Sequence, residues 1–290
     1  MRIVKFYGGL GNQMFQYAFL IALRRATGDE IKMDTSLYST YGLHNGFELG
    51  RIFKITAGHA TIEETKKLSI YTNNYKLARF IHYFLPQIKK EYKEKQFGKY
   101  YPEVFENAVD ILYDGYWQHW EYFDNYRDVV LKEFTLSETL DPKNQDFLNK
   151  LKNTNSCSIH IRRGDYLKSR LYKGICDNHY YREAIKLIKA KAGVDVEFYF
   201  FSNDYTWCTD NLSDLIDVRH FHIVDWNKSS DSFKDMILMS GCKFNIIANS
   251  SFSWWGAYMN QRLDKEVIAP KIWINKKITN PIQMPNWLLL

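Results

Sequence analysis

The second half of the sequence alternates short apolar runs with stretches of helical period, and this alternation narrows the fold more than any other feature. Residues 156–162, 196–202, 220–224, 244–249 and 266–269 read as strands, and 180–192, 232–241 and 253–262 read as helices. Strands separated by helices pair in parallel, because a parallel pair needs a long crossover and a helix supplies it. The expected class is α/β with a doubly wound parallel sheet.

The first half repeats the theme less clearly. Ile3-Val4-Lys5-Phe6-Tyr7 favours a strand and Gly8-Gly9-Leu10-Gly11 breaks it. Asn12 is then placed to cap a helix whose Phe15, Ala18, Phe19, Ala22 and Leu23 share one face. A short strand follows at 30–34, and 36–72 carries little pattern. Leu77, Phe80, Ile81, Phe84, Leu85 and Ile88 follow helical spacing, with Pro86 kinking or ending that helix. Residues 117–134 read as a helix rich in Trp, Tyr and Phe. The segments 141–144 and 152–155 look like a junction. The expected division is an N-terminal domain, 1–152, and a C-terminal Rossmann-like domain, 153–290, whose tail 281–290 packs back. A cleft between two such domains is a usual place for a nucleotide-linked ligand.

Composition removes several alternatives. The chain has 290 residues, enough for two buried cores, and is 46% hydrophobic and 17% aromatic, which excludes disorder. Of the net charge of +6, residues 76–100 carry +5, from seven Lys or Arg against Glu91 and Glu94. The remainder is nearly neutral, so no nucleic-acid coat is expected. The basic stretch reads either as a surface for anionic lipid or as a helix packed on its own core. No secretory leader and no apolar run of about 18 residues is recognisable, which points to a cytoplasmic protein, soluble or peripheral to the inner membrane face. Cys157, Cys176, Cys208 and Cys242 are too scattered for a zinc site or disulfide frame and read as buried thiols in a reducing compartment.

Four segments carry chemistry. In Ser158-Ile159-His160-Ile161-Arg162-Arg163-Gly164-Asp165-Tyr166, strand alternation puts His160 and Arg162 on one face. They sit at the carboxyl end of a parallel strand, where ligands of open α/β sheets bind. A guanidinium there suits a pair of phosphate oxygens, and Asp165 is close enough to orient it. Asn249-Ser250-Ser251-Phe252-Ser253-Trp254-Trp255 runs from a strand through a Ser-rich turn into a helix start, which attracts phosphate, while the two Trp read as core. Phe201-Ser202-Asn203-Asp204 ends an apolar strand in polar residues. Asp235 is a carboxylate that can accept two hydrogen bonds from the N1–H and 2-amino edge of guanine, with Asp231 and Asp204 as rivals. There is no Asp-x-Asp, no His-Glu-x-x-His and no Gly-x-x-x-x-Gly-Lys loop, so the common metal and phosphate-loop devices are absent from the sequence.

Together with Gly8-Gly9-Leu10-Gly11-Asn12-Gln13-Met14-Phe15, these segments resemble the α-1,2-fucosyltransferases of glycosyltransferase family 11, in order over nearly the whole chain. The resemblance implies a GT-B-type fold of two Rossmann-like domains and inverting, metal-independent transfer of L-fucose. The donor is GDP-L-fucose, no cofactor is needed, and the acceptor is the 2-hydroxyl of a terminal galactose in a glycan such as an O-antigen repeat. It implies that Arg162 holds the β-phosphate. Ser250, Ser251 and Phe252 contact the phosphates, Asp235 reads guanine, and His160 lies near the nucleoside. Ser202 and Asp204 join the donor set. Asn12, flanked by Gly11 and Gln13, faces the fucose or acceptor. Asp165 serves as base or as the orienter of an Arg. The family often has a second Asp where this chain has Asn203, and the region 36–150 carries no recognised motif. Other readings stay open: another linkage such as α-1,6, or a non-catalytic module that binds GDP-sugar.

Overall fold

The structure is a computed structural model that describes residues 1–40, 42, 45–84, 90–106, 110–193, 195–276 and 282–290. It divides into two compact units. One is Met1–Glu138 together with Ile282; the other is the described part of Thr139–Lys277 and Gln283–Leu290.

The first unit is built on β1 (Arg2–Lys5), α1 (Leu10–Thr27) and β2 (Ile31–Asp34). The short helices α2 (Leu49–Ile52), α3 (Ile62–Leu68) and α4 (Tyr75–Phe84) follow, then β3 (Glu91–Lys93), β4 (Ile111–Asp114) and α5 (Arg127–Glu133). Its sheet has the order β2-β1-β4-β3 with every pair parallel. Helix α1 is buried on nearly all sides from Leu10 to Leu23 and forms the centre of this unit. It starts earlier than the sequence suggests. Its N-cap is Gly9, so Asn12 lies in the first turn and is not the cap. The reason is Gly8, whose φ of +88° turns the chain sharply enough for the helix to begin at once. A Cβ on Gly8 would lie 2.5 Å from Asn12 Nδ2.

Residues 117–134 are not one helix. Trp117 has φ +56°, two 3-10 turns (Trp120–Tyr122 and Asp124–Tyr126) follow, and only α5 is α-helical. The aromatic residues are spaced to pack around α1 and not along a helix. Phe19 stacks on Trp117 at 4.2 Å and meets Tyr122 edge-on at 5.3 Å. Helix α4 is the amphipathic helix expected near 77–88, although Leu85, Pro86 and Ile88 lie outside the described residues.

The second unit contains α6 (Pro142–Asn153), β5 (Ser156–Ile161), α7 (Asn178–Ala192), β6 (Glu197–Ser202), α8 (Tyr205–Leu212) and β7 (Phe221–Ile223). It continues with α9 (Phe233–Met239), β8 (Phe244–Ile246), α10 (Ser251–Met259), β9 (Glu266–Ala269) and β10 (Leu288–Leu289). The sheet order is β10-β9-β8-β5-β6-β7, all parallel. The core lies between this sheet and α7, where Ile159, Ile161, Phe198 and Phe200 meet Ala184, Ile185 and Ile188.

The unit boundary falls between Glu138 and Thr139, upstream of the expected 152. The junction-like Asp141-Pro142-Lys143-Asn144 is a helix start: Asp141 accepts the Asn144 N–H and Pro142 occupies the first turn. Leu148 and Leu151 of α6 are buried, and α6 packs against α9, so the helix belongs to the second unit. The described part of the tail, from Ile282 on, packs as expected: Leu288–Leu289 pair with β9, and Trp287 lies 5.5 Å from Trp254.

Candidate active site

The functional groups of the second unit gather at the carboxyl edge of its sheet. Strand β5 ends at Ile161 and delivers Arg162, Arg163 and Asp165 into a turn. That turn closes tightly at Gly164, where a Cβ would sit 2.5 Å from Asn203 Nδ2. Arg162 Nη2 lies 2.9 Å from Asp165 Oδ1, and the guanidinium lies 5.6 Å from the Tyr166 ring centre. Both charges are partly open, at 34% and 57% exposure, so Asp165 aims Arg162 without neutralising it deep in the core. Tyr166 donates to the Asn249 carbonyl at 3.4 Å and hydrogen-bonds with Ser250, which ties the Arg162 turn to the start of α10.

Ser250 is the N-cap residue of α10, yet its side chain makes no cap bond. Ser253 instead turns inward to the Ala248 and Ser250 carbonyls. The Ser250 side chain therefore leaves the positive dipole end of the helix uncapped. Asn249 holds the turn by donating to the Trp273 carbonyl at 3.1 Å. His160 is 8% exposed and its ring lies 5.7 Å from that of Phe252. Burial, with Arg162 nearby, pushes its pKa down to about 3, so the imidazole is neutral at pH 7. Its Nδ1 is buried with no partner among the described residues. A neutral ring beside a guanidinium can give or take one hydrogen bond without adding charge.

Arg163 goes elsewhere. Its Nε lies 2.9 Å from Asp204 Oδ2, its guanidinium covers the Trp207 ring at 4.4 Å, and its N–H donates to Asn203 Oδ1. Asp204 also accepts the Trp207 N–H as N-cap of α8, and Ser202 accepts the Asp204 N–H. Ser202, Asn203 and Asp204 thus brace the β5 turn, which is the local role a sequence reading could not separate from ligand binding.

Asp235 stands in the first turn of α9 and accepts from Asn227 Nδ2 at 2.8 Å. Burial raises its pKa to about 7. Asn227 is held in turn by Asn144, which also accepts from Trp226 Nε1 at 3.1 Å. Tyr205, next after Asp204, lies close enough for the Asp235 charge to raise its own pKa beyond what burial does. Its hydroxyl donates to Val224 beyond β7. The row β8-β5-β6-β7 therefore carries, in order, the Ser250 turn, Arg162, Asp204 and the Asn227–Asp235 pair. Three strand intervals of about 4.8 Å span about 14 Å.

In the first unit, Asn12 Oδ1 accepts from Gln118 Nε2 at 2.6 Å. Gly11 is buried in the same turn of α1. Gln13 is occupied with the backbone: it donates to the Gly8 and Gly46 carbonyls and accepts the Glu48 N–H. Sequence reasoning missed a pocket at the carboxyl ends of β1 and β4, lined among others by Lys5, Tyr7, Arg79, His82, Asp114 and Tyr116. Lys5 Nζ lies 3.3 Å and His82 Nδ1 3.2 Å from Asp114 Oδ2. Burial alone would raise the Asp114 pKa, but Lys5 and His82 hold it well below the usual carboxylate range. Aromatic walls around fixed donors and acceptors suit a polyhydroxylated ring. The one signal in the sequence was Lys5, a charge inside an apolar strand; Asp114 could not be placed because β4 was unread.

Two units, each on a parallel sheet, with cationic and polar groups gathered at the carboxyl edge of the second, are the parts of a GT-B-type fold. The chain belongs to glycosyl transferase family 11, which matches residues 1–290. It is 32% identical over 284 residues to an alpha-1,2-colitosyltransferase of Escherichia coli, covering 96% of this chain and 94% of that one. It is 28% identical to galactoside alpha-(1,2)-fucosyltransferase 2 of Pongo pygmaeus, covering 87% of this chain and 67% of the relative. The fold is shared with POFUT1, solved in complex with GDP-fucose, at TM-score 0.54 and 11% identity over 92% of this chain and 97% of that one.

Proposed function

We propose that this chain transfers L-fucose from GDP-L-fucose to the 2-hydroxyl of a terminal galactose in a bacterial glycan, with inversion at the anomeric carbon and without a metal ion. The observation that carries the reading is Arg162, aimed by Asp165 and joined through Tyr166 to the start of α10. As the bond from the sugar to the diphosphate breaks, positive charge grows on the sugar and negative charge on the leaving GDP. Arg162 and the helix start meet that negative charge with fixed donors. Asp235 accepts from the guanine edge, and neutral His160 offers a hydrogen bond near the nucleoside. Ser251 and Phe252 bring backbone N–H groups to the phosphates. Asn12 contributes an amide toward the sugar, and the Lys5–Asp114–His82 pocket receives the galactose. Asp165 is a positioning residue in this scheme. The chain works in the cytoplasm, where its four free thiols stay reduced.

The similarity to a colitosyltransferase supports a second reading, in which the donor sugar is colitose, the 3-deoxy analogue of fucose. One experiment tests both. The purified chain is given GDP-fucose or GDP-colitose with a panel of β-galactosides in EDTA, and the product linkage is determined. A fucosylated 2-hydroxyl is the expected product. Transfer only from GDP-colitose selects the second reading. Loss of transfer in EDTA that a divalent metal restores overturns the metal-free mechanism, and GDP-fucose binding without release of GDP overturns the enzyme itself.

A further inference from the structure

The apolar face of α4 does not pack on the unit that carries it. Leu77 is 48% exposed, Phe80 52% and Phe84 73%, and at i, i+3 and i+7 they form one stripe. The Phe80 and Phe84 rings stack at 5.1 Å. The buried side of the helix is Ala78 and Ile81. A surface helix normally turns its large apolar side chains inward; here they point out. Clustered exposure of this kind marks a surface that another phase or molecule covers.

The charge beside the stripe is of one sign. Lys76 is exposed, four positions before Phe80 and so on the same side of the helix. Lys93 donates to the carbonyls of Ile81 and His82, adding positive charge at the end of the helix. Glu91, an acid of the following strand, is buried.

We propose that this face of α4 seats in the interface of an anionic lipid bilayer. The phenyl rings enter the acyl boundary, and the ammonium groups stay among the headgroups. A bilayer fits better than a protein groove because the stripe combines exposed aliphatic and aromatic side chains with positive charge at its edge, from Lys76, and at the helix end, from Lys93. The other side of the same helix supplies Arg79 and His82 to the pocket of the first unit, so seating would place that pocket near headgroups.

The test uses flotation of the full chain with vesicles of phosphatidylcholine, alone or mixed with phosphatidylglycerol. The wild type is expected to float only with the anionic vesicles and to be released by salt. Lys76→Glu should lower partitioning at least roughly fivefold. Phe80→Glu with Phe84→Glu should abolish flotation, while Phe80→Leu with Phe84→Leu retains it. Thermal melts of each variant separate loss of binding from loss of fold. The proposal falls if anionic lipid makes no difference or if the folded double-Glu variant floats like wild type. It also falls if the wild type is a dimer that the double-Glu variant converts to monomer without any vesicle binding.

Discussion

In the proposed mechanism the chemistry turns on Arg162, and its environment gives a reason why a lysine would not replace it. The planar fork can keep one edge on Asp165 while offering another to a phosphate. Arg162→Ala should reduce kcat on the order of 10²–10³-fold, with Arg162→Lys recovering little; steady-state release of GDP measures both. An alanine variant within tenfold of wild type would remove Arg162 from this role. Asp235 makes a separate prediction. Its carboxyl is raised to about 7 by burial, so the free protein at neutral pH holds it partly protonated. A protonated carboxyl cannot accept both hydrogen bonds from guanine. GDP binding should therefore weaken as pH falls below about 7, approaching tenfold per unit. Asp235→Asn should bind GDP weakly and with little pH dependence; calorimetric titration of both forms checks it. The Arg162 loop was legible in the sequence because strand alternation fixes which side chains share a face. The division of labour between Arg162 and Arg163 was not legible, because it depends on Asp204 and Trp207, which arrive from another strand and helix.

Elements with strong local signals were readable and those shaped by tertiary packing were not. Strand β9 and the body of α7 follow from period and composition alone. Strand β3 sits in the run Lys90-Glu91-Tyr92-Lys93, where charge masks it, and forms because β4 offers it an edge to pair with. The aromatic segment before α5 carries apparent helical spacing, but its rings are placed to enclose Phe19. The helix start at Gly8-Gly9 was readable as a break, but the position of the first turn depends on φ at Gly8. Gly8→Ala should cost about 1–3 kcal/mol, since a side chain there is strained at positive φ and also presses on Asn12. Urea denaturation would show this as a lower midpoint. A variant as stable as wild type would mean that the turn adopts another conformation.

At the scale of the whole molecule, buried titratable groups of opposite kind balance one another. His160 and His119 are buried, with pKa values lowered by burial to about 3 and about 4. The unfolded chain binds their protons below about pH 6.5 while the folded chain does not. They make stability fall as pH falls. Glu94 and Asp235 are raised by burial, both to about 7. Here the folded chain holds protons that the unfolded chain has released above about pH 4.3. Their contribution is complete below that pH and is lost as pH rises toward 7, so they make stability fall as pH rises. Between about pH 4.5 and 6.5 two imidazoles oppose two carboxyls, and the slope of stability against pH is close to zero. Glu48 and Glu91, raised by burial, add to the carboxyl side near the lower end of this range. Below it, Asp114 and Asp141, both held low, lose their stabilising partners as they protonate. Removing one member of the balance should expose the other side. Glu94 accepts the Tyr116 N–H through Oε2 at 2.8 Å while its Oε1 is buried with no partner among the described residues, so a neutral amide of the same shape can keep the Tyr116 bond. Glu94→Gln should turn the flat profile into one that rises with pH by about 1.4 kcal/mol per unit across the window. Denaturant unfolding of both proteins at a series of pH values measures the two slopes. Parallel curves for the variant and the wild type would mean that Glu94 stays ionised in the folded chain.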